Sequence, residues 1–174
     1  HVHPLDMTPD GQLLLAVNTP DNRLEVFSIA SGVPVWVRSI PVGVEPVSVR
    51  ARSSSEAWVV NHLSDSVSIV SLALGNVVST IKTKDEPCDV VFAGGVGPAA
   101  TRAFVSCSQV NTVQVFNLAN LSAAPIDVPI LGEDPRALAV SADGARVFAA
   151  VYESGNNSTV LGGGSAVAAT IGFP

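Results

Sequence analysis

Short stretches in which apolar and polar residues alternate recur along the whole chain. Residues 67–70 (Val-Ser-Ile-Val) and 113–116 (Val-Gln-Val-Phe) are two examples. Alternation with a period of two places successive side chains on opposite faces of a β-strand. No long segment has apolar residues at the 3.6-residue spacing of a helix, and prolines and β-branched residues are spread throughout. The pattern predicts an all-β protein.

The predicted strands fall into units that repeat about every 44 residues, a period typical of stacked supersecondary units. Three units open with an acidic residue and a proline just before a strand, at Glu45-Pro46, Glu86-Pro87 and Asp134-Pro135. A hairpin turn and a second apolar strand follow, then an alternating third strand and a fourth. Asp-Gly turns at Asp10-Gly11 and Asp143-Gly144 mark two of the hairpins. Four antiparallel strands in such a unit form one blade of a β-propeller.

The repeat predicts three complete blades, at residues 3–42, 45–84 and 86–131, and part of a fourth at 134–161. The fourth has only a weak third strand near residues 158–161, and residues 162–174 are a Gly-rich loop or the start of an insertion. We therefore expect about four consecutive four-stranded antiparallel blades of a larger ring. Its open sheet edges are completed by the remaining blades of the parent chain or by another copy.

The second-strand endings, the first turn and the segment before Glu45 carry a family resemblance. These segments are residues 15–18 (Leu-Ala-Val-Asn), 58–61 (Trp-Val-Val-Asn), 8–11 (Thr-Pro-Asp-Gly) and 40–43 (Ile-Pro-Val-Gly). They resemble the YVTN-type β-propeller repeats of bacterial surface-layer and periplasmic proteins, over residues 1 to about 160. The third and fourth copies depart from this motif, with Cys107 and Val151 in place of its asparagine. The resemblance implies a ring of about seven blades in a bacterial protein that is periplasmic, cell-surface or secreted.

Composition narrows the function classes. Only 14% of the residues are charged and the formal net charge is −6, so no broad basic surface exists to neutralise nucleic acid phosphates. Apolar residues make up 47% of the chain, which indicates a folded globular protein. No uninterrupted apolar run approaches the roughly 20 residues of a membrane helix. We expect neither a nucleic acid partner nor a membrane span.

The three histidines are the first candidates for chemistry. His1 and His3 point to the same side if they lie in one strand, which would offer two imidazoles to copper or another transition metal. His62 follows the end of a second strand, where propeller loops gather at the mouth of the central channel. The candidate channel-mouth binding residues are His3, His62, Asn18, Asn61 and Arg136. The alternative is that His62 is a solvated loop residue and that His3 is a polar residue opening a strand.

The two cysteines are predicted to form a disulfide. Aligning the third unit with the fourth pairs Val90 with Val105 and Phe92 with Ala103, and it places Cys88 opposite Cys107. Directly opposed residues of an antiparallel pair have Cα atoms within disulfide range. A disulfide would also support export to an oxidising compartment. The alternative is two small buried thiols, kept reduced or separated by a slip in register.

The chain has no GxSxG nucleophile elbow, no phosphate-binding P-loop and no CxxCH haem-attachment motif, so no catalytic residue is assigned. The leading hypothesis is a non-enzymatic extracytoplasmic scaffold that interacts with a protein, a glycan or a cell-envelope component. One alternative is a propeller domain or subunit of a metal- or haem-linked oxidoreductase. A second alternative is a lyase acting at the channel mouth. Fold alone does not separate them.

Overall fold

The computed structural model of the 174-residue chain describes residues 1–153. Within them the secondary structure is β apart from one 3-10 turn at Gly97–Ala99. The strands are β1 Leu5–Met7, β2 Leu13–Asn18, β3 Arg23–Ser28, β4 Val35–Pro41, β5 Pro46–Ala51, β6 Glu56–Asn61, β7 Ser66–Ser71, β8 Asn76–Lys82, β9 Pro87–Ala93, β10 Arg102–Cys107, β11 Thr112–Asn117, β12 Ile126–Pro129, β13 Glu133–Val140 and β14 Val147–Glu153. The predictions for residues 158–161 and 162–174 lie outside the described residues.

The strands form antiparallel sheets in chain order. Three sheets have four strands each, β1 to β4, β5 to β8 and β9 to β12, and a fourth sheet contains β13 and β14. The first strands of consecutive sheets contact one another, β1 against β5, β5 against β9 and β9 against β13. The sheets are therefore successive propeller blades with their first strands innermost, which confirms the predicted fold class.

The core lies between the blades, and the second blade shows why its strands are apolar throughout. In β6, Trp58 and Val60 belong to the cluster shared with the third blade, whereas Val59 packs with the first blade. The Trp58 ring is fully buried and meets the Phe92 ring edge-on, with 5.3 Å between the ring centroids. A strand with a neighbouring blade on each face buries both sets of alternating side chains. Continuous apolar runs therefore replace simple alternation here.

One hydrogen bond recurs between each pair of consecutive blades. The turn from the second to the third strand contains an Asn or Asp at positive φ, and its side-chain oxygen accepts the backbone N–H of the acidic residue that opens the next blade. The donor-to-acceptor distances are 2.8 Å for Glu45 to Asn22, 3.1 Å for Glu86 to Asp65 and 2.8 Å for Asp134 to Asn111. The acidic residues also have positive φ. We call this contact the interblade clasp, and it holds the backbone of the residue before the proline that opens each of these blades.

The structure corrects the predicted disulfide, because Cys88 and Cys107 are both free and buried. The predicted pairs Val90 with Val105 and Ala103 with Phe92 are present, but a β-bulge follows and sets Cys107 opposite Pro87. The second and fourth blades have a register shift at the corresponding place. A bulge inserts one extra residue into the strand. Cys88 is therefore the extra residue and does not oppose Cys107.

The interblade clasp gives a stability prediction at Asn22. Replacing Asn22 with Gly keeps its positive φ of 56° accessible and removes only the hydrogen bond, so we expect a loss of about 1 kcal/mol. Asn22→Ala should cost about 2 to 3 kcal/mol, since Ala adds the strain of the left-handed conformation. Urea unfolding of the purified protein measures both changes. Asn76→Ala on the exposed strand β8 is the matched control, and equal losses in all three variants would contradict the clasp.

The cysteine assignment predicts the thiol count. The unfolded protein, prepared without reductant, should give two reactive thiols per chain with an aromatic disulfide reagent. The folded protein should react slowly, because Cys88 is 3% exposed and Cys107 is fully buried. Burial also raises the pKa of the Cys107 thiol to about 12, which removes its reactive thiolate. If the unfolded chain gave no reactive thiols, the two cysteines would be joined in a disulfide and the free-thiol assignment would be wrong.

Candidate functional site

Side chains from three consecutive blades meet near the inner strands. His3 precedes β1, Arg50 lies on β5 and Asp89 lies on β9. His3 Nδ1 is 2.8 Å from Asp89 Oδ2 and 2.7 Å from Arg50 Nη2, and Arg50 Nη2 is 3.4 Å from Asp89 Oδ2. We call these three residues the axial cluster.

Asp89 is the centre of this cluster and is fully buried. Its Oδ2 atom also accepts the backbone N–H of Leu138 at 2.8 Å, and its Oδ1 atom accepts the N–H of Val90 at 2.9 Å. Arg50 Nη2 lies 3.4 Å from the Leu138 carbonyl oxygen. A buried carboxylate needs hydrogen bonds and a counter-charge, and this one draws them from all four blades. The axial cluster is therefore a structural tie around the inner strands.

His3 has a second chemical capacity within the same cluster. In a neutral ring, Nδ1 either donates to Asp89 or accepts from Arg50, so the two short contacts require different tautomers. When Nδ1 donates to Asp89, the Nε2 lone pair is available as a base. The side chain is 34% exposed, so solvent reaches it. A carboxylate that orients an imidazole in this way is a feature of general-base sites.

His62 lies at the entry of the third blade. Its Nδ1 atom is 3.1 Å from the Pro87 carbonyl oxygen and 3.9 Å from Cys88 Sγ, and its Nε2 atom is 3.9 Å from Glu86 Oε2. These neighbours raise the pKa of His62 to about 9, with the Cys88 sulfur the largest cause and the Pro87 carbonyl and Glu86 carboxylate adding to it. Partial burial opposes the rise. His62, which was predicted at the channel mouth, thus contacts the first residues of the third blade.

The side chains of the two asparagines predicted at the channel mouth form hydrogen bonds within their own blades. Asn18 Nδ2 donates to Asp21 Oδ2 at 3.0 Å and Glu25 Oε1 at 3.3 Å. Asn61 is fully buried, and its Nδ2 donates to two serines of β7. A Cβ atom at Gly43 would come within 2.6 Å of the Asn61 side chain, which explains the glycine before the second blade. Neither asparagine joins the axial cluster.

The predicted histidine pair contacts separate groups. His1 Nδ1 is 3.4 Å from Thr19 Oγ1, whereas His3 faces Asp89 and Arg50. Within residues 1–153, no three His, Cys, Asp or Glu side chains are arranged to hold a metal ion. The metal site at His1 and His3 stays a prediction.

Arg136 lies at a cavity of about 380 Å³ between the third and fourth blades. The turn between β10 and β11 contributes Ser108, Gln109 and Asn111, the start of β13 contributes Glu133, Asp134 and Arg136, and Glu86 completes the lining. Arg136 donates from Nε at 2.9 Å and Nη2 at 2.6 Å to Asp134 Oδ2. Its guanidinium carbon is 5.4 Å from the centre of the Tyr152 ring. We call this space the interblade cavity.

From the sequence, His3 and Arg136 were named as channel-mouth candidates, which stays a prediction, and Arg50, Asp89 and the cavity were not identified. Asp89 interrupts the apolar run of β9, and Arg50 does the same in β5. A charged residue within an apolar inner strand was the available signal. Their meeting depends on the contact between blades, which the repeat pattern does not specify.

Three solved structures resemble the chain across most of its length. A hydrazine synthase chain of Kuenenia stuttgartiensis has a TM-score of 0.74 at 23% identity, covering 87% of this chain and 42% of that one. Proteins described as "putative 6-phosphogluconolactonase" from Bacteroides uniformis and Bacteroides fragilis have TM-scores of 0.71 and 0.67 at 18% and 20% identity. They match 88% and 87% of this chain and 48% of each of theirs.

The shared feature is the propeller fold. The chain spans less than half the length of each of these structures. No family model and no curated protein matches it. Among residues 1–153 there is no helix with the length and apolar character to cross a membrane.

The raised pKa of His62 gives a pH prediction. Because the folded-state value of about 9 lies above the ordinary 6.5, the proton on His62 stabilises the fold fully below pH 6.5, and this contribution is lost as the pH rises to about 9. Imidazole NMR titration should show a midpoint well above 6.5. Cys88→Ala should lower it, since the sulfur is the largest cause. A midpoint at 6.5 in the unmodified protein would contradict this environment for His62.

Proposed function

We propose that the chain is a non-enzymatic extracytoplasmic β-propeller scaffold that binds a protein, a glycan or a cell-envelope component. The observation that carries the proposal is the interblade cavity, whose lining is rich in hydrogen-bonding groups. Resemblance to the YVTN-type repeats supports a bacterial surface or periplasmic location. The remaining blades of the parent chain, or another copy, complete the ring in this proposal.

The cavity is better suited to binding than to covalent chemistry. Its hydroxyl group, Ser108 Oγ, donates to the Glu86 carbonyl oxygen at 3.0 Å and lies 3.3 Å from the Glu86 carboxylate. No described imidazole contacts this hydroxyl, so Ser108 lacks the neighbouring histidine of a Ser-His nucleophile pair. Arg136 is held by Asp134. The lining thus offers donors, acceptors and charge at fixed positions on the loops of a rigid framework.

The axial cluster favours the lyase as a second candidate. His3 is oriented by a buried carboxylate and stands beside a guanidinium, an arrangement that can remove a proton next to an anionic substrate group. The two Bacteroides structures carry a lactonase description, but their likeness to this chain is one of fold. Against this candidate, Arg50 Nη2 contacts the same His3 nitrogen, Nδ1, as Asp89 does. The two groups therefore compete for the atom through which Asp89 would orient the ring.

The oxidoreductase alternative has weaker support. One similar structure is a hydrazine synthase chain, at 23% identity. That likeness is one of fold. The described residues of this chain supply no haem-attachment motif and no three-residue metal cluster that would favour it further.

A sedimentation assay separates scaffold from enzyme. The full chain in its native assembly is mixed with bacterial envelope fragments, and the bound material is analysed by mass spectrometry before and after incubation. We expect the protein to sediment with the envelope and to leave its components chemically unchanged.

Two variants sharpen the assay. Gln109→Leu should weaken sedimentation, because it removes a hydrogen-bonding side chain from the interblade cavity. His3→Asn should bind as the unmodified protein does, because His3 lies outside that cavity. Conversion of an envelope component by the unmodified protein, lost in His3→Asn, would refute the scaffold and establish the second candidate.

A further inference from the structure

We propose that the interblade cavity binds the amino sugar residues of a glycan, that is, a ligand with several hydroxyl groups and a positive charge. The proposal rests on the scaffold function above and names the ligand class of the same site. It is carried by three features of the cavity: its departure from the repeat, its open hydrogen-bonding capacity and its uncompensated negative charge.

The cavity combines residues that the fold requires with residues that it does not. Asn111 and Asp134 form the interblade clasp, which the two preceding junctions also have. Gln109 occupies the turn position that Leu63 holds in the second blade, and Arg136 occupies the bulge position of Cys88. The same fold is therefore built elsewhere with apolar or small side chains at these places. The fold therefore does not require Gln109 and Arg136 at these two positions.

Two side chains of the cavity lining have hydrogen-bonding groups available to a ligand. Asn111 Oδ1 accepts the Asp134 N–H at 2.8 Å, which leaves the Asn111 amide hydrogens for a ligand. Gln109 is exposed, and its side chain makes no hydrogen bond to residues 1–153. An amide presents a donor and an acceptor side by side. Neighbouring sugar hydroxyls, each both donor and acceptor, match such a pair.

The charge of the cavity selects a cation. Asp134 is neutralised by Arg136, which donates twice to one carboxylate oxygen. Glu133 has no ion pair with residues 1–153, and residues 154–174 contain no Lys, Arg or His. Glu86 Oε2 lies 3.3 Å from the Ser108 hydroxyl and 3.9 Å from His62 Nε2, and the raised pKa of His62 keeps that imidazole charged, so the negative charge left over is that of Glu133. The remaining negative charge favours an ammonium group that donates charge-assisted hydrogen bonds.

A bare metal ion fits the cavity less well than an ammonium group. The described residues contain no cluster of three carboxylate, imidazole or thiol groups positioned for a metal. Several hydroxyl groups and an amine together describe an amino sugar.

Calorimetric titration with a glucosamine oligosaccharide tests the proposal on the full chain in its native assembly. The N-acetylated oligosaccharide, which lacks the positive charge, and spermidine, which lacks hydroxyls, are the comparison ligands. We expect the glucosamine oligosaccharide to bind at least about tenfold more tightly than either, since each lost charge-assisted or paired hydrogen bond is worth about a factor of ten.

Variants locate the site. Glu133→Gln removes the free charge with little change in shape, and Gln109→Leu introduces the residue of the preceding copy. Each should weaken glucosamine binding about tenfold. Leu63→Gln makes the reverse change at the preceding junction, where the side chain is exposed, and should leave binding unaltered. Unchanged thermal melting confirms that each variant is folded.

Several outcomes would overturn the proposal. Equal binding of the N-acetylated oligosaccharide would remove the role of charge, and equal binding of spermidine would remove the role of the hydroxyls. No binding by the unmodified protein would refute the ligand class, while sedimentation with the envelope would still support the scaffold. Chemical conversion of the oligosaccharide would instead refute the non-enzymatic function and leave the binding site in place.

Discussion

The hydrogen bond between the turn of one blade and the opening residue of the next is the contact on which this structure depends. At each junction an Asn or Asp side chain of one blade accepts the backbone N–H just before the proline of the next. Both partners have positive φ, which L-residues adopt at a cost unless the surroundings hold them. The clasp therefore fixes where each inner strand starts. The apolar side chains can then fill the space between blades.

The bulge that follows the proline gives the second, third and fourth blades one position whose side chain is outside the regular ladder. This residue is Val47 in the second blade, Cys88 in the third and Arg136 in the fourth. Bulges redirect side chains and are often found next to functional sites. The same backbone device thus buries a valine, brings a thiol to His62, and directs a guanidinium to the interblade cavity. Variation at one repeated position produces different local chemistry without a change of fold.

The structure contains two polar sites with different physical characters. In the axial cluster, Asp89 is fully buried and its hydrogen bonds are taken by four blades, so most of its interaction capacity serves stability. The interblade cavity is open, and Gln109 and Glu133 in it have unused hydrogen-bonding groups and charge. A ligand can pair with such groups without displacing existing protein partners. This difference favours the cavity as the recognition site.

The sequence alone determined the all-β class, the four-stranded unit and the order of the blades. Alternating side chains and the repeated acidic residue and proline are local features, and strand geometry converts them directly into structure. The sequence also predicted the strand pairs Val90 with Val105 and Ala103 with Phe92, which the structure contains. The tertiary structure decided the bulge, because one extra residue leaves the apolar pattern almost unchanged while it moves Cys88 away from Cys107. It also decided both polar sites, since packing between consecutive blades brings Arg50 to Asp89 and places Gln109 and Arg136 around one cavity.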